Sequence, residues 1–137
     1  MTYLTKAAAA AGALLAATGL LTAGPARAAS RGPLPDNWLY LTVTKGDARS
    51  SETRGTLLLC DPPLGHAHAA EACADLSAAG GDIGRIPPAN VFCPMIFAPV
   101  TVHASGQWNG RSVDFQETYS SACTMRARTG SVFTLDG

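Results

Sequence analysis

The 137-residue sequence has no excess of either charge, because ten Lys plus Arg balance ten Asp plus Glu. It has no arginine-rich run and no basic patch, which argues against nucleic acid as a partner. Its cysteines lack C-x-x-C spacing, so a structural zinc site is disfavoured. Ser, His and acidic residues are all present, but no G-x-S-x-G or comparable motif assembles them, and enzymatic activity is not indicated. There are no internal repeats. The one long apolar run, from Ala7 to Leu21, is shorter than the roughly 20 residues a transmembrane helix needs. These absences disfavour a nucleic-acid binder, a zinc module, a hydrolase and a membrane-spanning protein.

What is present begins with an export signal. Lys6 supplies a positive charge, the apolar run follows, and small residues lead to Ala26-Arg27-Ala28. This order is that of a secretory signal with an A-x-A cleavage site; an uncleaved membrane anchor is the competing reading. Cleavage falls after Ala28, or alternatively after Ala29. Residues 1–28 are thus the signal peptide and residues 29–137 one secreted, extracellular domain, with no membrane contact once the signal is gone. Losing Lys6 and Arg27 leaves eight basic against ten acidic residues, a net charge of −2. So short a chain buries only one modest core, and covalent staples help it.

Four cysteines, Cys60, Cys73, Cys93 and Cys123, all follow the signal. In an exported chain an even number reads as two disulfides. Four cysteines allow three pairings, of which the sequential one is the simplest.

The chain reads as α+β. Trp38 to Thr44 alternates with period two, placing Leu39, Leu41 and Val43 on one face of a strand. After a polar turn region, Thr53 to Cys60 is a second strand with Leu57, Leu58 and Leu59 at its buried end. Asp61-Pro62-Pro63-Leu64-Gly65 breaks it. Ala67 to Ala79 is helical, with Ala69, Ala72, Cys73 and Leu76 on one apolar stripe and Gly80-Gly81 as the stop. A Cys60–Cys73 bond would clip this helix to the preceding strand. Pro99 to Trp108 and Arg111 to Tyr119 form a hairpin around Asn109-Gly110, the pair that best tolerates the two positive φ angles of a type I′ turn. Ser120 to Thr129 is polar with a short helical turn, and Ser131 to Leu135 is a last strand. The sheet is mainly antiparallel.

The segment that stands apart is Val91-Phe92-Cys93-Pro94-Met95-Ile96-Phe97-Ala98-Pro99. Its position between a proline-rich connection and a strand makes it a loop, yet it carries four large apolar side chains. Two prolines fix φ and a cysteine anchors it. Composition leaves two readings open. One buries the segment as an extra strand. The other displays it as an extended segment for a protease cleft, held rigid so that binding costs little ordering entropy and so that cut ends stay poised for religation.

Cys93-Pro94-Met95-Ile96-Phe97 resembles the reactive-site segment of the Streptomyces subtilisin inhibitor family. Leu39-Tyr40-Leu41-Thr42-Val43-Thr44-Lys45-Gly46 is similar to that family's first strand. The helix Ala69-Ala70-Glu71-Ala72-Cys73-Ala74-Asp75-Leu76, the segment Gly106-Gln107-Trp108-Asn109-Gly110-Arg111, Cys123 and the ending Gly130-Ser131-Val132-Phe133 fit its pattern too. The resemblance covers nearly all of the chain from Trp38 onward. It implies a five-stranded antiparallel sheet with two helices, sequential disulfides Cys60–Cys73 and Cys93–Cys123, and a homodimer formed through the sheets. It also implies a scissile bond Met95–Ile96, with Met95 at P1, Ile96 at P1′, Pro94 at P2, Cys93 at P3, Phe92 at P4 and Phe97 at P2′. Val91 and Ala98 flank this binding loop. One departure is Ala98, where the family often has an acidic residue.

The implied partners are subtilisin-like serine proteases, with chymotrypsin-like enzymes second. Met95 is flexible and polarizable, suited to a broad apolar S1 pocket, and Phe92 is a rigid anchor for S4. An acidic S1 pocket gains no ion pair from Met95, so trypsin is a poor target. No cofactor or metal is required. The alternative function is a secreted binding or structural module of the same fold with a non-protease target. Outside the loop, His66 and His68 read as plain surface histidines of a polar loop, and His103 as a solvent-side strand residue. Trp108 reads as a residue packed on the sheet, at the dimer contact.

Overall fold

The computed structural model describes residues 34–47 and 49–136; the expected signal peptide, residues 1–28, lies outside them. Period-two apolar patterning builds the sheet. β1 (Asn37–Asp47) and β2 (Ser50–Cys60) form one antiparallel hairpin, and β3 (Val100–Trp108) and β4 (Arg111–Tyr119) form another. β1 also pairs antiparallel with β3, giving the order β2-β1-β3-β4. Between the hairpins lie α1 (Ala69–Ala78) and a 3-10 turn (Ile83–Arg85), and α2 (Ala122–Thr129) follows β4.

The first two strands are longer than the patterning predicts. The ladder continues to Asp47↔Ser50, where the Asp47 carboxylate accepts the Arg49 and Ser50 amides. In the second hairpin Asn109 (φ 48°) and Gly110 (φ 78°) both take the left-handed conformation, as the turn type requires.

The inward faces of the strands supply one core. Leu39, Leu41, Leu58, Val102 and Ala104 are fully buried, and Val43, Val100 and Trp108 nearly so. Leu57, one residue before Leu58, faces outward and is exposed, because neighbours in a strand point to opposite sides. α1 contributes Ala72, Cys73 and Leu76 to the same cluster, with Ala69 half-buried against it, which is the expected four-residue stripe. Each fully buried leucine contributes roughly 2 kcal/mol by area. Disulfide Cys60–Cys73 ties α1 to the end of β2.

α1 ends in a Schellman motif: the Gly80 amide bonds to the Ser77 carbonyl at 3.2 Å and the Gly81 amide to Leu76 at 2.8 Å. Gly81 has φ 80° and lies against the Trp108 ring, so a Cβ there would enter the indole. Trp108 is therefore an inner-face residue, 3% exposed, and not part of a dimer contact on the open face.

Among the described residues the sheet has four strands, not five. Ser131–Leu135 does not pair. Val132 and Phe133 are adjacent and both buried, unlike neighbours in a strand with one face to solvent. The segment turns instead, through Val132 N–H to the Thr129 carbonyl (3.3 Å) and Thr134 N–H to the Ser131 carbonyl (3.1 Å). Phe133 stacks on Phe115 of β4, ring centres 6.3 Å apart.

The histidines expected to be plain surface residues hold this segment in place. His66 Nδ1 accepts the His68 amide at 2.8 Å, so the proton sits on Nε2, which donates to the Val132 carbonyl at 2.9 Å. His68 Nε2 lies 3.1 Å from the Asp136 carbonyl. His103 is on the outward side of β3, half-buried, with Nε2 2.9 Å from the Asp114 carboxylate.

Candidate functional site

Residues 87–99 form neither helix nor strand. Pro87, Pro88, Pro94 and Pro99 fix φ along this stretch and bias the residue before each toward extended backbone. The chain therefore leaves the 3-10 turn and returns to β3 as an extended arch. The reading that buried this segment as an extra strand does not hold. Phe92 is 92% exposed, Met95 103%, Ile96 65% and Phe97 82%. Cys93 alone of residues 91–98 is half-buried.

Anchors hold the arch from beneath. Cys93 is bonded to Cys123, in the first turn of α2. The Ala98 amide donates to the Ser120 carbonyl at 2.9 Å, and the Ala89 amide to the Ala127 carbonyl at 2.7 Å. The Gly46 amide of β1 donates to the Pro99 carbonyl at 3.1 Å. Within the arch, the Ile96 amide donates to the Pro94 carbonyl at 2.8 Å, closing a tight turn over Met95.

α2 and the residues that lead into it serve as the support. Met125 and Thr129, one turn apart, are buried in the body of the protein. Cys123 and Ala127, one turn apart on another side, carry two anchors, and Ser120, just before the Ser121 cap, carries the third. Ser121 starts the helix, its side-chain oxygen accepting the Thr124 amide at 3.2 Å. Gly130, at φ 59°, ends it.

The sequence reading placed Val91, Phe92, Cys93, Pro94, Met95, Ile96, Phe97 and Ala98 in one loop, and the structure keeps them there. It missed Ser120, Ala127 and Gly46, which act through backbone groups and leave no side-chain signature. The pairing of Ser121 with a Gly130 stop was the available signal for α2. Residues 91–99 contain no ionisable group, so the arch can offer a partner apolar surface and backbone hydrogen bonds but no ion pair.

A small α+β domain presenting a rigid, apolar, disulfide-anchored arch has the form of a substrate-like protease inhibitor. The chain belongs to the subtilisin inhibitor-like family, whose pattern matches residues 35–121. It is 60% identical over 124 residues to a Streptomyces avermitilis protein whose name provisionally marks it as a serine protease inhibitor, covering 90% of this chain and 84% of the other. It is 40% identical over 100 residues to the subtilisin inhibitor of Streptomyces albogriseolus, covering 69% of each. Its fold resembles Streptomyces caespitosus sermetstatin, solved in complex with Bacillus licheniformis subtilisin. That match has TM-score 0.52 and 32% identity, over 71% of this chain and 98% of that one.

Proposed function

We propose that this chain is a secreted inhibitor of subtilisin-like serine endopeptidases and works as a slowly hydrolysed substrate whose reactive bond is Met95–Ile96. The observation that carries this reading is the full exposure of Met95 between two anchors, Cys93–Cys123 and Ala98 to Ser120. Met95 enters S1, Pro94 lies at P2, Cys93 at P3 and Phe92 enters S4. Ile96 and Phe97 occupy the primed side, with Val91 and Ala98 at the margins. An exposed methionine that becomes fully buried contributes roughly 2 kcal/mol, and the rigid arch loses little entropy on docking.

The protease serine attacks the Met95 carbonyl carbon. The Met95–Ile96 bond breaks, Met95 becomes the acyl group, and Ile96 leaves as an amine. That amine stays beside the acyl carbon, because the arch is anchored on both sides of the cut. Attack by the amine restores the bond and returns the serine, in competition with water. Chymotrypsin-like enzymes bind more weakly, and trypsin poorly.

Two further features belong to this reading. Export follows from the signal-like segment 1–28 and suits the two disulfides. The outer face of the sheet carries exposed Tyr40 and Leu57, directly opposite one another, and a second copy of the chain covers it.

The test is titration of subtilisin with purified protein, followed by mass spectrometry of the complex after long incubation. Stoichiometric inhibition with slow cleavage confined to Met95–Ile96 is expected. Rapid digestion, or no inhibition, would move the function to a non-protease target.

A further inference from the structure

Hydrolysis of Met95–Ile96 adds one water, leaving a carboxylate on Met95 and an ammonium group on Ile96. Resynthesis expels that water and needs no other reactant. The balance between the two forms depends on how far apart the new ends drift. The Met95 end is tethered through Cys93 to Cys123. The Ile96 end is tethered through the Ala98 amide to the Ser120 carbonyl. Both tethers thus arrive on one four-residue stretch, Ser120 to Cys123, and the rigidity of that stretch sets the gap.

One side chain fixes this stretch to the helix. Ser121 is 9% exposed and lies between the two tether points. Its hydroxyl oxygen accepts the Thr124 amide at 3.2 Å and lies 3.1 Å from the Thr124 hydroxyl. Its carbonyl accepts the Met125 amide at 3.0 Å, starting the helix. The Thr124 hydroxyl also lies 3.3 Å from that of Ser120, so the same cap steadies the residue whose carbonyl holds Ala98. Met125, in the next turn, is buried and gives the cap a fixed base.

We infer that Ser121 is a positioning residue of the inhibitor: its helix cap holds the Ser120 and Cys123 tethers in register, and so keeps the cut ends close enough to rejoin. The inference rests on Met95–Ile96 being the reactive bond. Without the cap, Ser120 and Ser121, which lead into the helix, move more freely while Cys123 stays in it, and the Ile96 amine explores more volume. A lost cap of ordinary size corresponds to about a fivefold change in an equilibrium constant.

The experiment incubates full-length disulfide-bonded protein with catalytic subtilisin at mildly acidic to neutral pH until the ratio of nicked to intact inhibitor is constant. That ratio is approached from both intact and nicked material. Ser121→Ala is expected to raise it about fivefold and to speed nicking, whereas Ser121→Thr, which caps with its own hydroxyl, restores the wild-type ratio. Leu58→Val, a core change beneath α1, serves as a control matched for lost thermal stability and leaves the ratio unchanged. An unchanged ratio in Ser121→Ala, or an equal rise in Leu58→Val, overturns the inference. If wild-type protein neither inhibits nor is nicked at Met95–Ile96, the underlying reading fails instead. If Ser121→Ala does not fold, Thr124→Val provides the same comparison, because it keeps the capped amide and removes only the hydroxyl that joins Ser120 to Ser121; a ratio between wild type and fivefold is expected, and no rise overturns the inference.

Discussion

Cys93, two residues before Met95, is bonded to Cys123 with their Cα atoms 5.7 Å apart, so the exposed arch is fastened covalently to the first turn of α2. The bond closes a segment with a sequence separation of 30, worth about 3–4 kcal/mol by loop-closure entropy. Its larger effect is local. The double change Cys93→Ser, Cys123→Ser is expected to convert the protein from inhibitor to substrate, with rapid cleavage at Met95–Ile96 and recovery of subtilisin activity. Activity regained over time, with fragment masses, measures this. Lasting inhibition by the variant would show that the hydrogen-bonded anchors suffice.

In the proposed mechanism Met95 contributes only on docking, because it is fully exposed in the free protein. Met95→Lys is therefore expected to leave thermal stability within about 0.5 kcal/mol of wild type. It gains trypsin inhibition, as an ammonium group pairs with an acidic S1 pocket. Titration of trypsin and subtilisin side by side reads the switch. A variant that still ignores trypsin would place P1 elsewhere in the arch.

The two glycines ending α1 separate backbone strain from packing. A Cβ on Gly80 meets nothing within 4 Å, but φ is 64°, so Gly80→Ala costs about 1 kcal/mol. Gly81→Ala adds a collision with the Trp108 ring and costs about 3 kcal/mol in all. Urea unfolding of both variants checks the order. Equal losses would mean that Trp108 yields freely.

The parts legible in the sequence are those written in short-range chemistry. Asn109-Gly110 specified a turn, Gly80-Gly81 a helix stop, and alternation three of the four strands; the second was read from its leucine run, of which Leu57 is exposed rather than buried. The arch was legible because Phe92, Met95, Ile96 and Phe97 are the wrong residues for a solvated loop. Composition alone still could not say whether they were buried or displayed. Ser131–Leu135 misled, because Val132 and Phe133 have strand-like side chains but are buried by tertiary packing against Phe115 and by the His66 bond to the Val132 carbonyl. Of the three anchors around α2, the Cys93–Cys123 bond was expected from the family resemblance, whereas the two through the Ser120 and Ala127 carbonyls stayed hidden, since any residue could supply them.

His66 makes the C-terminal segment sensitive to acid. Burial pushes its imidazole below the ordinary value of 6.5, and the nearby His68 adds to this, while the Val132 carbonyl and Glu71 partly offset it. A second proton would sit on Nδ1, where it faces the His68 N–H. The folded state thus binds this proton less readily than the unfolded chain. Stability from His66 is fully present above pH 6.5 and is lost as pH falls through the window below it. Thermal midpoints between pH 7 and 5 should fall more for wild type than for His66→Gln. Parallel curves would remove His66 as the cause.

The proposed homodimer can be tested without touching the arch. Tyr40 (47% exposed) and Leu57 (37% exposed) face each other across β1 and β2 on the outer side of the sheet. Thr44–Thr53 and Thr101–Thr118 hydroxyl pairs lie on the same face. This face has apolar anchors among hydroxyl groups and the His103–Asp114 pair, a mix that suits a self-complementary contact. In a two-fold interface each substitution appears twice, so Leu57→Lys introduces two cations that lose water without gaining a partner. Sedimentation equilibrium is expected to show a dimer for wild type and a monomer for Leu57→Lys. The arch is anchored mainly on α2, whose buried face joins the opposite side of the sheet. The monomeric variant should therefore still titrate subtilisin one to one. A variant that stays dimeric would reject this face as the contact, and one that loses inhibition along with dimerisation would show that the second copy helps hold the arch.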